Sequence, residues 1–432
     1  MARPHIVIVG AGFAGFHAAR RLARIARRRA DITVVNPTDY FLYLPLLPEV
    51  AGGVLDPRHV AVPLADTLPG VRLVLGEVDD LDVTGRRIGY RDPAGRRDQL
   101  RYDRLVLAAG SVNKLLPIPG VADHAHGFRG IPEALYLRDH VVRQIELADT
   151  AEDPAERAAR CTFVVVGAGY TGTEVAAQGH LFTRELVRSH PRLAHAPIRW
   201  LLLDTADHLL PGMQPRLSHT AEQVLRERGV EVNLGVSVKE AGATGVELTD
   251  GRTLGTYSLI WCVGVRPDPL VEATGLPLRH GRITVDEYLS VPGHPEILGC
   301  GDAAAVPDPQ HPGRATPMTA QHAVRQGKLA AGNIAASYGT GRRRPYRHRD
   351  LGFVVDLGGW QAAAAPLHVP LSGPLARAVT RAYHLTALPA GRARVAADWL
   401  LTALGSRPAV GLDLIAGSAV PLETRDPETI HA

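Results

Sequence analysis

Two glycine triplets, Gly10, Gly12 and Gly15 in VIVGAGFAG and Gly167, Gly169 and Gly172 in VVVGAGYTG, repeat the spacing GxGxxG about one domain apart. Each follows an apolar, β-branched run and precedes a helix-like stretch, the setting in which this spacing holds a dinucleotide. The first glycine of each triplet permits a tight turn off the strand. The second lets a pyrophosphate approach the backbone, and the third lets the helix pack against the sheet. Unpaired amides and the positive end of each helix then face the phosphates. Two copies in context point to two bound dinucleotides.

Other chemistry-bearing residues cluster around these triplets. Asn36 ends the strand after the first one, about 20 residues on, where a dinucleotide site usually carries an acid for the ribose hydroxyls. Its amide oxygen accepts without charge, and a solvated strand end is the plainer use of it. Asp204 holds the equivalent place after the second triplet, where a carboxylate binds the adenosine ribose and repels a 2′-phosphate, favouring NADH over NADPH. Arg199 and Arg216 lie near enough to temper that preference. Glu174 falls on the first turn of the second helix, where the dipole alone rewards a carboxylate.

These side chains need alternating elements to hold them. His5 to Val9, Ile32 to Val35, Leu105 to Ala109, Thr162 to Val166, Ile198 to Leu203, Leu259 to Val263 and Glu296 to Cys300 read as short buried strands. Ala14 to Arg29, Pro132 to Ala148 and Thr316 to Ala336 read as helices. Asn113 to Pro119 breaks regular structure, and the polar stretch Ala151 to Arg160 reads as a linker. Strand and helix alternation predicts an α/β fold with two Rossmann-like dinucleotide-binding domains and a C-terminal helical or extended region.

Composition narrows the class. With 45% hydrophobic and 21% charged residues the 432-residue chain is globular, and a net charge of +4 carried almost wholly by arginine is no nucleic-acid footprint. Cys161, Cys262 and Cys300 are odd in number and never paired as CxxC, which argues against a disulfide framework, a structural zinc, a redox dithiol and an iron-sulfur relay. A reducing, cytoplasmic compartment is expected. A strand begins within a few residues of Met1, so no signal peptide is expected, and no apolar run reaches the ~18 residues of a spanning helix.

With these motifs in place the chain resembles the type II NADH dehydrogenases, single-chain flavoproteins that pass electrons from NADH through FAD to a membrane quinone. The resemblance runs over nearly the whole chain. It rests on both triplets and on Tyr43-Leu44-Pro45-Leu46-Leu47-Pro48, Ala108-Ala109-Gly110, Trp261-Cys262-Val263-Gly264-Val265, Gly301-Asp302-Ala303-Ala304, and Ala320-Gln321-His322-Ala323 with Gln326-Gly327. It implies an FAD domain split into 1–125 and 286–345, a helical connection over 126–160, an NADH domain over 161–285, and a C-terminal region over 346–432.

The resemblance also assigns roles. Gly10, Gly12, Gly15, Asn36, Ala109, Gly110, Gly301 and Gln321 would hold FAD, with Asp302 on the ribityl chain unless it serves as a helix N-cap. Pro45, Leu46 and Leu47 would wall the flavin, although core packing explains leucines equally well. Gly167, Gly169, Gly172, Glu174, Asp204 and Gly264 would hold NADH. Glu174 and Gln321 become the catalytic candidates, Glu174 for hydride positioning or proton relay and Gln321 as donor to a quinone carbonyl, assisted by Gln326 and His322.

Leu375, Val379, Tyr383 and Leu385 alternate with Arg377 and Arg381, and Val395 to Leu404 follows with Trp399, Leu400 and Leu401. This is the arginine-plus-aromatic pattern of an interfacial amphipathic helix, lying on the inner face of the cell membrane; a packed hairpin or a homodimer interface carries the same pattern. Two other functions remain open at this point: a soluble biosynthetic flavoenzyme reducing or oxidising an aromatic or quinonoid metabolite, and a non-enzymatic NADH/flavin sensor.

Overall fold

The computed structural model describes residues 3–26, 29–405, 407 and 410–422, so Arg27 and Arg28, within the expected helix Ala14 to Arg29, lie outside the described residues. The chain divides into two compact units. One comprises residues 1–42, 61–112 and 265–350, the other 43–60, 113–264 and 351–432.

In the first unit a six-stranded sheet runs in the order Ser290–Val291, His294–Gly299, Arg104–Leu107, His5–Val9, Asp31–Asn36, Arg72–Leu75. Every pairing is parallel except the antiparallel edge Ser290–Val291. Ile6, Val7 and Ile8 are wholly buried, as expected of a parallel strand covered on both faces. Helices Phe13–Ile25 and Ala320–Ser337 pack directly on one another. A Cβ at Gly327 would run into the Ala14 carbonyl, so this glycine sets how closely the two helices cross. The unit also holds a three-stranded antiparallel sheet, Glu77–Asp82, Arg87–Arg91 and Arg97–Arg101.

The second unit repeats the plan with five parallel strands in the order Ala125–Gly127, Ser258–Trp261, Thr162–Val166, Arg199–Asp204, Val230–Leu234. Trp200 stacks on Phe163 with ring centroids 4.7 Å apart, and its indole N–H donates to Thr183 Oγ1 at 3.1 Å. That face of helix Tyr170–Leu186 is fitted to the indole, since any side chain at Gly179 would collide with it. Residues 351–422 add the antiparallel strands Val354–Asp356, Ala362–Ala364 and Leu371–Ser372 and the helices Gly373–Ala387 and Arg392–Leu404.

One sequence expectation needs correction. Pro154–Arg160, within the expected linker, is a helix capped by Asp153, whose carboxylate accepts from Ala155 N; two turns rich in charge carry too little apolar periodicity to be recognised. Helix Gly373–Ala387 turns part of its apolar side outward and part of its polar side inward. Arg377, Thr380 and His384 are buried, whereas Leu375 and Tyr383 are exposed.

Candidate functional site

The two glycine loops are built alike. Gly10 N–H donates to Val35 O at 2.9 Å, and Gly167 N–H donates to Leu203 O at 2.8 Å, tying each turn to the next strand. Gly10 has φ +86° and Gly167 φ +104°, and a Cβ on either would meet the carbonyl of Ala108 or Cys262 respectively. Only glycine suits either position. At Gly15 and Gly172 a Cβ would strike the carbonyl of the first glycine of its own triplet, which fixes helix against strand.

The middle glycines differ. A Cβ on Gly12 or Gly169 meets no atom within 4 Å. Both stand at the N-cap of a helix, Phe13–Ile25 and Tyr170–Leu186, with no capping side chain. Open space over the first turn of amides at the positive end of a helix is what a pyrophosphate requires, so both cradles fit a dinucleotide.

Asn36 and Asp204 also match. Asn36 Oδ1 accepts from Ala11 N at 2.7 Å, and Asp204 Oδ2 accepts from Ala168 N at 2.6 Å, so each residue clamps the central alanine of its GAG loop. Asn36 Nδ2 is spent on Thr38 O at 2.9 Å and Thr38 Oγ1 at 3.0 Å. Asp204 Oδ1 accepts from Ala206 N at 2.8 Å. Arg199 is committed to Glu231 through two bonds of 2.7 and 2.9 Å.

Within the first unit, Gly301 (φ +70°) and Asp302 form the turn after strand His294–Gly299. Ser111 Oγ donates to Asp302 Oδ2 at 2.6 Å, and Arg282 Nε donates to the Asp302 carbonyl at 3.1 Å. Gln326, wholly buried, holds the same turn: its Oε1 accepts from Gly301 N at 2.8 Å and its Nε2 donates to Thr316 Oγ1 at 3.0 Å. Gln326 therefore braces the turn and offers no surface of its own. Gln321 is half-buried at the start of the helix, its carbonyl accepting from Arg325 at 2.8 Å. Gly110 has φ +79° and accepts from Asp268 N at 3.2 Å, with the half-buried Ala109 just before it.

His322 stacks on His348 with ring centroids 4.0 Å apart, and its Nδ1 lies 2.7 Å from Tyr346 Oη. Burial, then the nearby charge of His348, pushes its pKa down to about 4. It is neutral at pH 7 and is no ready proton donor.

In the second unit Leu46 and Leu47 are core residues, leaving half-buried Pro45 with surface to offer. Gly264 has φ +97°, and its carbonyl accepts from Lys114 N at 3.0 Å. Glu174 Oε1 accepts from Asp356 N at 2.9 Å. Burial, reinforced by the charge of Asp356, holds the Glu174 carboxyl well above the usual range. Sequence reasoning missed Glu49, Asp356 and Arg377, which share one buried cluster with it. Only the unusual acid in the apolar run PLLPEVA could have flagged Glu49.

The three cysteines are free. Burial raises the Cys161 thiol to about 11 and those of Cys262 and Cys300 to about 12, so none is a thiolate at neutral pH. Among the described residues no group of three or more His, Cys, Asp or Glu could hold a metal ion.

With this geometry in hand, residues 4–327 match the family model described as pyridine nucleotide-disulphide oxidoreductase. The chain is 31% identical to the type II NADH:quinone oxidoreductase of Mycobacterium tuberculosis over 94% of its own length and 89% of that protein. It is 29% identical to the demethylphylloquinone reductase of Synechocystis over 94% and 97%. NDH2 from Plasmodium falciparum, solved in complex with NADH, superposes with a TM-score of 0.88 at 19% identity, covering 95% of this chain and all of that one. The chain belongs to the pyridine nucleotide-disulphide oxidoreductase family and, within it, to the type II NADH:quinone oxidoreductases.

Proposed function

We propose that this protein oxidises NADH and passes the two electrons, through FAD, to a quinone. The observation that carries the reading is the pair of matched cradles, each with open space over its middle glycine at an uncapped helix N-terminus. The absence of a dithiol and the protonated state of all three thiols support a non-thiol acceptor. In this reading Gly10, Gly12 and Gly15 hold the FAD pyrophosphate, Asn36 sets their loop, and Asp302, aimed by Ser111, takes the ribityl hydroxyls. FAD supplies the two-electron carrier chemistry when bound. Gly167, Gly169 and Gly172 hold NADH, and Glu174 orients its nicotinamide. Gln321 donates to the acceptor, Gln326 keeps the Gly301 turn in place, and His322 contributes as a neutral ring. Anaerobic mixing with NADH should bleach the flavin, and a menaquinone analogue should restore its colour. Flavin that stays oxidised under excess NADH would refute the reading.

Asp204 selects the donor. Its carboxylate holds the loop and repels a 2′-phosphate, while Arg199 is tied to Glu231 and cannot neutralise one. Asp204→Ser should raise the NADPH-to-NADH ratio of kcat/KM roughly 10- to 100-fold, the ~1.4–2.8 kcal/mol expected from removing one near charge. An unchanged ratio would remove Asp204 from that role.

The acceptor is taken from a membrane surface. No helix among the described residues is long and apolar enough to cross a membrane. Yet helix Arg392–Leu404 buries Val395 and Trp399 while leaving Leu400, Leu401 and Leu404 exposed by 60%, 66% and 78%. With Leu375 and Tyr383 they give this unit an apolar exterior that water does not favour. Leu400→Glu with Leu401→Glu should weaken pelleting with anionic liposomes by at least about 30-fold, from roughly 1 kcal/mol or more lost per leucine. Unaltered pelleting would exclude this face. A shift of the same variant from dimer to monomer, with no effect on pelleting, would assign the leucines to self-association.

A further inference from the structure

Helix Leu47–Ala51 carries Glu49 into the interior of the second unit, where it is 4% exposed. Its Oε2 accepts from the indole N–H of Trp399. It is also hydrogen-bonded to another carboxyl, that of Asp356, with the Arg377 charge nearby. Asp356 is itself fully engaged: Arg377 Nη1 donates to its two oxygens at 2.7 and 3.0 Å, and Gly358 N donates to Oδ1 at 2.6 Å. Two carboxyl groups in hydrogen-bond contact require a proton between them. Arg377 and the amide already donate to both Asp356 oxygens, which leaves the shared proton to Glu49.

The surrounding charges do not alter this. Arg228 gives its guanidinium to the carbonyls of Leu357 and Gly358. Arg407 donates to Gly52 O at 2.9 Å and faces Glu185. Arg381 lies over the Trp399 ring at 4.8 Å. His384 is kept neutral by burial and pairs with Tyr43 Oη at 3.1 Å. Glu174, on the helix that opens at the NADH cradle, is joined to the same strand through Asp356 N–H.

Resting on the function proposed above, we infer that the Glu49–Asp356 pair is a proton store for quinone reduction, loaded at rest and drawn on once per turnover. The balance requires one. NADH, one proton and quinone give NAD+ and quinol; the hydride brings both electrons and one of the quinol's two added protons. The second proton leaves Glu49 as its O–H bond breaks and a quinol O–H bond forms, and solvent then reprotonates the carboxylate. Burial and the Asp356 charge push the Glu49 carboxyl up to about 8, so the store is full at pH 7 and empties as pH rises through that value.

Two measurements on the FAD-loaded protein test this. Infrared difference spectra of the resting protein between pH 7 and pH 9 should show a deuterium-sensitive protonated carboxyl with a midpoint near pH 8, absent in Glu49→Gln. The Trp399 N–H stabilises the ionised form, so Trp399→Phe should move the midpoint upward, by about half a unit to one unit. Reoxidation by a menaquinone analogue should slow on the order of 100-fold in Glu49→Gln and lose its fall above pH 8, with Glu49→Asp recovering part of both. No carboxyl signal at pH 7, or a wild-type pH profile in Glu49→Gln, overturns the proposal. If wild-type flavin still bleaches and reoxidises, the quinone reading stands regardless. Should Glu49→Gln fail to fold, an unmoved midpoint in Trp399→Phe overturns the proposal alone.

Discussion

Gly12→Val should give a folded protein that purifies colourless. A Cβ at this position meets nothing within 4 Å, and Gly12 already has φ −66°, which valine adopts without strain. The apo fold therefore has no reason to yield. The space the side chain takes is the space against the first amides of helix Phe13–Ile25, where a pyrophosphate must sit. Losing two charge-assisted hydrogen bonds there costs about 3–6 kcal/mol, or roughly 10²- to 10⁴-fold in FAD affinity. Visible absorbance after purification and the melting temperature of the flavin-stripped protein separate the two effects. A yellow Gly12→Val protein would move the FAD cradle elsewhere; a colourless one whose stripped form melts far below stripped wild type would show a folding defect instead.

Gly169→Val provides the complementary result: a yellow protein blind to NADH. The geometry repeats, with φ −73° and no atom within 4 Å of the added carbon. The flavin should be retained at wild-type stoichiometry because the first loop is untouched. NADH affinity should fall by the same roughly 10²- to 10⁴-fold, so bleaching at ordinary NADH concentration becomes slow. Dithionite should still bleach the flavin. Loss of colour in this variant, or normal bleaching by NADH, would contradict the division of labour between the two loops.

Much of this was readable in the sequence because parallel strands buried on both faces are uninterrupted apolar runs. His5–Val9 and Thr162–Val166 stand out for that reason, and the glycines beside them record backbone geometry that no other residue tolerates. What remained hidden depends on contacts distant along the chain. Nothing local to Glu49 announces Asp356 or Trp399, some 300 residues or more away. Arg377 stood in the sequence only as one arginine of an amphipathic pattern, because helical periodicity sorts by polarity and does not announce a buried ion pair. The tie of Asn36 to Ala11 was likewise invisible, since an Asn at a strand end offers the same letter whether it faces ribose or its own loop. Gln326 illustrates the reverse error: its place beside the acceptor signature suggested contact, whereas both ends of its amide are spent inside the protein.

The neighbour of that glutamine has a wider reach. Gly327 sets the separation of two helices, and Gln326, one residue earlier on the same helix, props the turn that presents Asp302. Interhelical spacing and the aim of the carboxylate proposed to take the ribityl chain are thereby geared together. A bulkier residue in that crevice would register as weakened flavin retention although it touches no cofactor, so a phenotype read at the isoalloxazine can originate in a steric event at the back of the sheet.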